Sequence, residues 1–300
     1  MGFQKAKREK LWAKVLLAGP SGAGKTYSAL KLATGIAKKC GSSVAAIDTE
    51  NGRIRYYADE FEFDDMQLEE PYSPEKYIEA IEDAVNSGYK VLIIDSISHE
   101  WAYCNEVHDK MPGNSYTNWG KITPRHNAFM EKILQSPIHV IATVRGKDAY
   151  TMEDKNGKQI PKKVGLGYQA RTDTEYNYTV TFNIAQDTHI ADSTKDNTHI
   201  FEGRYDVLTE ADGAKLYAWA NSGDVPTSKP AKSARYPEPS LRDIIFEIDS
   251  VAKGLPDKGV KKTEIVAAIK EITGDSANYN TIDDLETAKS VLTALKKLEA

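Results

Sequence analysis

The chain has 300 residues, enough for one large domain and a smaller one. Hydrophobic residues make up 40% and charged residues 28%, ordinary for a soluble globular protein, and the net charge of −5 argues against a surface coated in basic residues. A local groove of Lys and Arg for nucleic acid stays compatible with that balance.

No apolar run approaches the length of a membrane span. The N-terminal stretch "MGFQKAKREKLWAK" has no apolar segment after its charges, so a secretory leader is not expected. Cys40 and Cys104 lie far apart and suit no metal spacing. Both are expected as reduced thiols of a cytoplasmic protein with no membrane partner.

From about residue 11 to 220, apolar runs alternate with helical stretches. "WAKVLLAG" predicts a buried strand, and "TYSALKLATGIAKKCG" a helix ending at Gly41. "SSVAAID" predicts a second strand. "SPEKYIEAIEDAVNSG" predicts an amphipathic helix capped by Ser73 and stopped by Gly88. "KVLIIDS" predicts a third strand, "PRHNAFMEKILQS" a helix that opens at Pro124, and "IHVIATVR" a fourth strand. Such alternation implies a mostly parallel sheet covered on both faces, an α/β fold. Beyond residue 147, Asn156-Gly157 predicts a hairpin tip. "TEYNYTVTFNIA" and "THIFEG" predict antiparallel edge strands, and "TEADGAKLYAWANSG" a closing helix. Residues 223–240, rich in Pro, Ser and Lys, read as a linker between a domain at 1–222 and a small helical module at 241–300. In that module, helices are expected at 241–253, 262–273 and 281–298.

"GPSGAGKT", residues 19–26, lies between a strand and a helix and satisfies G-x-x-x-x-G-K-[ST] in its required context. Its glycines allow a tight wrap that aims backbone N–H groups at phosphate oxygens, and the helix N-terminus adds its dipole. A nucleotide site follows at Gly19, Pro20, Ser21, Gly22, Ala23, Gly24, Lys25, Thr26 and Tyr27. Lys25 would reach the β- and γ-phosphates of ATP, and Thr26 would offer its hydroxyl to Mg²⁺. Asp95, ending the apolar strand "VLIID", is the second metal candidate, on a strand expected beside the phosphate-loop strand. It could also cap the helix that follows.

In many ATPases a glutamate follows this aspartate; here it is Ser96, a poor base. Glu100 lies one helical turn on and could face solvent. Glu50, at the end of "AAIDTE", reaches the same crevice from the neighbouring strand. It is the preferred catalytic base, its alternative being a loop acid before the Asn51-Gly52 turn.

The ordered set "GPSGAGKTYSALKLA", "IDTENGR" and "VLIIDSIS" resembles the RecA-like ATPases, which carry the water-activating glutamate after the strand following the phosphate loop. More specifically it resembles phage ATPases of the Sak-type single-strand annealing family, over roughly residues 8 to 222. The resemblance implies a RecA-like P-loop NTPase core with antiparallel edge strands. It implies an aromatic stacked on adenine, here Tyr57, and a γ-phosphate sensor on the fourth strand, here Thr143. It also implies a ring or filament in which a neighbour supplies a cation. "DSTKDNTHIF" offers Lys195 for that trans-acting role, with Asn197 where Arg would be expected.

DNA contacts in RecA-like cores come from two loops. The resemblance places them at "DKMPGNSYTNWGK" and in the segment carrying Lys147, Lys158, Lys162, Lys163 and Arg171, interleaved with tyrosines. A solvated hairpin is the alternative for the second. The function implied is ATP-driven single-stranded DNA annealing or strand exchange in phage recombination, in the cytoplasm of a bacterial host. A single-strand DNA-binding protein would be a further partner. An ATP-driven DNA motor or loader, a nucleotide-gated assembly protein and a small-molecule kinase are the competing readings.

Overall fold

The computed structural model describes residues 5–155, 158–171, 174–224, 241–274 and 276–298, with 147–166 described as strand backbone. The expected hairpin tip Asn156-Gly157 and the expected linker from residue 225 to 240 lie outside the described residues. Contacts divide the chain into two compact units, Met1–His108 with Gly113–Ala234, and Asp109–Pro112 with Arg235–Ala300.

The larger unit is built on a nine-stranded sheet. Its strands are β1 (Lys14–Gly19), β2 (Val44–Asp48), β3 (Asp64–Gln67), β4 (Val91–Asp95), β5 (His139–Lys155), β6 (Lys158–Tyr168), β7 (Val180–Ile184), β8 (Ala191–Asp196) and β9 (Tyr205–Asp206). Their order is β3-β2-β4-β5-β1-β7-β8-β9, with β6 paired to β5. Pairings from β3 through β7 along this path are parallel, while β8 and β9 add antiparallel edges. Every residue of β1, β2 and β4 is buried, as strands covered on both faces must be. This is a RecA-like P-loop arrangement, and it brings the C-terminal ends of β1, β2 and β4, with Arg145 in the middle of β5, to one crevice.

The helices of this unit are α1 (Lys25–Cys40), α2 (Pro74–Asn86), α3 (Ser98–Lys110), α4 (Ser115–Gln135) and α5 (Glu210–Ala220). Gly41 ends α1 at φ 62, its N–H bonded to Ala37 O. The Ser73 side chain accepts from the Lys76 N–H and opens α2, with Pro74 in the first turn where it loses no helical bond.

Several elements differ from expectation. β4 does not lie beside β1, because β5 runs between them. β3 carries mostly polar residues at an exposed edge, so no apolar alternation announces it. α4 opens at Ser115 with Asn114 as cap, and Pro124 lies inside it. The buried face of Ile122, Phe129, Met130 and Ile133 outweighs the lost bond, about 3 kcal/mol for an interior proline. Most of the first expected DNA loop is therefore helix.

β7 pairs parallel with β1 rather than antiparallel. The strand beyond it is Ala191–Asp196 and not "THIFEG". Asp196 accepts bonds from the Thr198 and Phe201 N–H groups and turns the chain there, while Phe201 is buried against Phe182.

α1 and α5 approach at glycines. A Cβ on Gly35 would lie 2.0 Å from Glu210 O, and one on Gly213 2.2 Å from Leu32 O. Thr209 and Asp212 form a capping box that starts α5 at this contact.

At the opposite end of β1, Lys14 is buried and donates to Ser136 O at 2.8 Å and Ile138 O at 2.6 Å. Burial lowers its pKa to about 7. A neutral amine has two N–H groups, matching the two carbonyls. Because the unfolded chain keeps this proton up to its ordinary pKa of 10.5, stability should rise with pH above about 7. Denaturant melts at pH about 7 and about 8.5, below the ordinary tyrosine range, should show a gain of up to ~1.4 kcal/mol per pH unit. In Lys14→Met that slope should disappear, and a slope retained in the variant would refute the assignment.

Among the described residues, the smaller unit contains three α-helices, α6 (Leu241–Gly254), α7 (Lys262–Thr273) and α8 (Leu285–Lys297). Ile244, Ile248, Ile265, Ile269, Val291 and Leu295 form its core. α8 starts at Leu285 rather than 281, since Asp284 caps it through the Thr287 N–H and residues Tyr279–Thr281 form a 3₁₀ turn.

Candidate nucleotide site

β1 ends at Gly19 and α1 opens at Lys25, so the phosphate loop is the turn between them. Gly22 and Gly24 have φ of 81° and 84°, left-handed conformations that a side chain would strain. A Cβ on Gly19 would lie 2.8 Å from Ile184 O, so the loop is pressed against β7. Lys25 Nζ donates to Gly19 O and Pro20 O, both at 2.9 Å, and is held over the loop. Burial pushes the Lys25 pKa down, opposed by the charges of Asp95 and Glu50. The β7–β8 turn grips the same loop. Gln186 donates to Ser21 O at 3.0 Å, and His189 Nδ1 sits 3.0 Å from Ala23 O. No motif marks these two residues; only the sheet order brings them here.

Thr26 donates to Asp95 Oδ2 at 2.6 Å, and Thr143 donates to Asp95 Oδ1. Asp95 is buried, which pushes its carboxyl up, while the two threonine bonds pull it down. A hydroxyl and a carboxylate side by side are hard oxygen donors that fit Mg²⁺. Thr143 is fully buried behind Asp95 and does not line the cleft, whereas Arg145, two residues on, does.

β2 brings Asp48 level with Asp95. Asp48 is buried and accepts from the Glu50 N–H at 2.5 Å, which tightens the turn through Asn51 and Gly52, at φ 60° and 74°. That turn directs Glu50 into the cleft with Lys25, Thr26 and Asp95. There Arg145 grips it through Nε to Oε1 at 2.9 Å and a terminal nitrogen to Oε2 at 2.5 Å. Ser96 Oγ donates to Oε1 at 3.3 Å. Burial would raise the Glu50 carboxyl, but the Arg145 bonds and charge outweigh it and hold it below the usual range. Glu100 is elsewhere, buried and bonded to His126 and Cys104, so it neither faces solvent nor meets this cleft.

A family model described as an AAA domain, AAA_24, matches residues 12–204. The chain belongs to this family. The match takes in β1 through β8 with the phosphate loop, Glu50, Asp95 and Arg145, and the AAA_24 region is thus a P-loop ATPase domain. No curated protein matches the chain. Among solved structures, a KaiC-like protein from the hyperthermophilic archaeon Pyrococcus horikoshii OT3 is similar at 15% identity and a TM-score of 0.36, covering 67% of this chain and 92% of its own.

The AAA_24 cleft has a volume of about 1000 Å³. Tyr57 also lines it and meets Tyr27 edge-on, with ring centroids 5.4 Å apart. Lys195 lies on β8 outside this cleft and donates to Tyr176 O at 2.5 Å. Arg171 donates to Asn127 of α4 at 3.0 Å. Lys147, Lys158, Lys162 and Lys163 lie on β5 and β6, their side chains outside the described residues. The expected second loop is a two-stranded ribbon formed by the continuation of β5 with β6, from Gly146 paired with Tyr168 to Lys155 paired with Lys158, with a register shift between Ala149 and Tyr150. Among the described residues no helix is long and apolar enough to cross a membrane.

Proposed function

We propose that this chain is a Mg²⁺-dependent, RecA-like ATPase of the Sak-type kind that binds single-stranded DNA and promotes annealing or strand exchange in phage recombination. One observation carries the reading: Glu50 enters the cleft from β2, alongside Asp95, rather than from the position after Asp95. The loop amides and Lys25 hold the phosphates of ATP, and Tyr57 packs on the base. Thr26 and Asp95 would hold Mg²⁺, which supplies charge neutralisation at the phosphates. Glu50 accepts the proton of the attacking water, ionised and aimed across the cleft from Lys25.

Support for DNA comes from the ribbon. About nine residues of strand beyond Gly146 extend roughly 30 Å, and this ribbon carries Lys147 on β5, the strand that also supplies Arg145, and Lys158, Lys162 and Lys163 on its partner β6. Lysines on such an arm suit a phosphate backbone, and its tyrosines suit unpaired bases. Lys195 is the cation we assign to a neighbouring subunit's site in a ring or filament, and a single-strand DNA-binding protein is a further partner in the bacterial cytoplasm.

The test is ATP hydrolysis with and without single-stranded DNA, read beside oligomer mass. Hydrolysis should rise with DNA, DNA binding should weaken steeply with salt, and Lys25→Ala should abolish turnover. Turnover indifferent to DNA, with no oligonucleotide bound at low salt, would remove the recombination reading and leave the ATPase.

A further inference from the structure

We propose that Arg145 is a γ-phosphate ligand of its own chain's cleft, and that it exchanges Glu50 for that phosphate, so that the base is released only when a nucleoside triphosphate is bound. The inference rests on the ATPase reading of the same site and adds the device that gates it.

The geometry has four parts. Arg145 ends the sheet portion of β5 directly opposite Gly19, the first residue of the phosphate loop. It lines the cleft with Lys25, Thr26, Glu50 and Asp95. Its side chain is 39% exposed, while that of Glu50 is 15% exposed, so the guanidinium is the partner more open to an incoming ligand. Both Glu50 oxygens are occupied, Oε1 by Arg145 Nε and the Ser96 hydroxyl, Oε2 by the second guanidinium bond. A carboxylate paired in this way is a weaker base, because taking a proton from water would cost it the Arg145 ion pair.

A guanidinium fork donates to carboxylate and to phosphate oxygens with the same planar geometry. The carboxylate offers one negative charge. A terminal phosphate offers about −1.5 to −2 near neutral pH, so it competes for the fork on charge alone. A diphosphate leaves that end of the cleft empty. After the exchange, Ser96 still donates to Glu50 and keeps one oxygen oriented while the other faces water. Ser96, in the place where other ATPases carry their base, is then a positioning residue for Glu50.

Equilibrium binding of a non-hydrolysable ATP analogue and of ADP, each with Mg²⁺, tests this in the full chain. Arg145→Ala should weaken the analogue about 10- to 100-fold and leave ADP unchanged. Glu50→Gln should tighten the analogue, because a neutral amide grips the fork less, and that gain should vanish in the Glu50→Gln/Arg145→Ala double variant. Added guanidinium ion should restore part of the analogue affinity to Arg145→Ala, which a purely structural role would not allow. Arg145→Lys, which keeps charge without the fork, should fall between, and serves if the alanine variant does not fold. An analogue-to-ADP ratio unchanged in a folded Arg145 variant overturns the proposal while the ATPase reading stands. A wild-type chain that binds neither nucleotide overturns both.

Discussion

Replacing Glu50 by Gln should lower the rate of ATP hydrolysis by about 10²- to 10⁴-fold while the protein still binds ATP. The amide keeps the size and the Ser96 contact of the carboxylate but cannot accept a proton. Asp95 is a poor substitute, because it is buried, shares its oxygens with the Thr26 and Thr143 hydroxyls, and is assigned to Mg²⁺. Glu100 cannot take over, because it is buried with His126 and Cys104 away from the cleft. Single-turnover hydrolysis beside nucleotide binding separates the two effects. If Glu50→Gln hydrolyses ATP at the wild-type rate, the base is another group and the assignment falls.

The largest structural effect should come from a position with no chemistry. Gly35→Val places a branched side chain where even a single Cβ would lie 2.0 Å from Glu210 O. The obstructing atoms are backbone of α5, which cannot rotate away as a side chain can. Overpacking typically costs 1–3 kcal/mol when side chains yield. Here the helices themselves must separate, so we expect about 3 kcal/mol or more, roughly 6–12 °C in Tm for a domain of this size. Gly120→Ala is the matched control. It also lies within a helix, but its added Cβ meets nothing within 4 Å. Removing glycine's excess freedom there should gain ~0.5–1 kcal/mol. Equal melting temperatures for Gly35→Val and wild type would show that the α1–α5 contact does not hold the fold. Because α1 begins at Lys25, loosening it should also weaken nucleotide binding.

Much of this protein was legible in the chain. The phosphate loop, Thr26, Asp95 and Glu50 are set by local rules: a glycine spacing that wraps an anion, and apolar runs that end in acids. The helices α1, α2 and α5 were legible for the same reason, since their caps and apolar faces lie within a dozen residues of one another. Edge strand β3 was not, because an exposed strand needs no apolar pattern. The register of β8 was not, because Asp196 made a turn where Phe201 suggested continuation. Pro124 signalled a helix start and lies inside α4, because burial of one face outweighed the local preference.

What tertiary structure alone decided lies between residues far apart in sequence. Arg145 meets Glu50 across 95 positions only because β5 inserts between β1 and β4. Thr143 turns to Asp95, and Gln186 and His189 reach the phosphate loop, through the same strand order. A sequence determines which groups can bind phosphate, because that ability resides in a few adjacent residues. Which cation restrains the base depends on which strands become neighbours, and that is settled only when the sheet assembles.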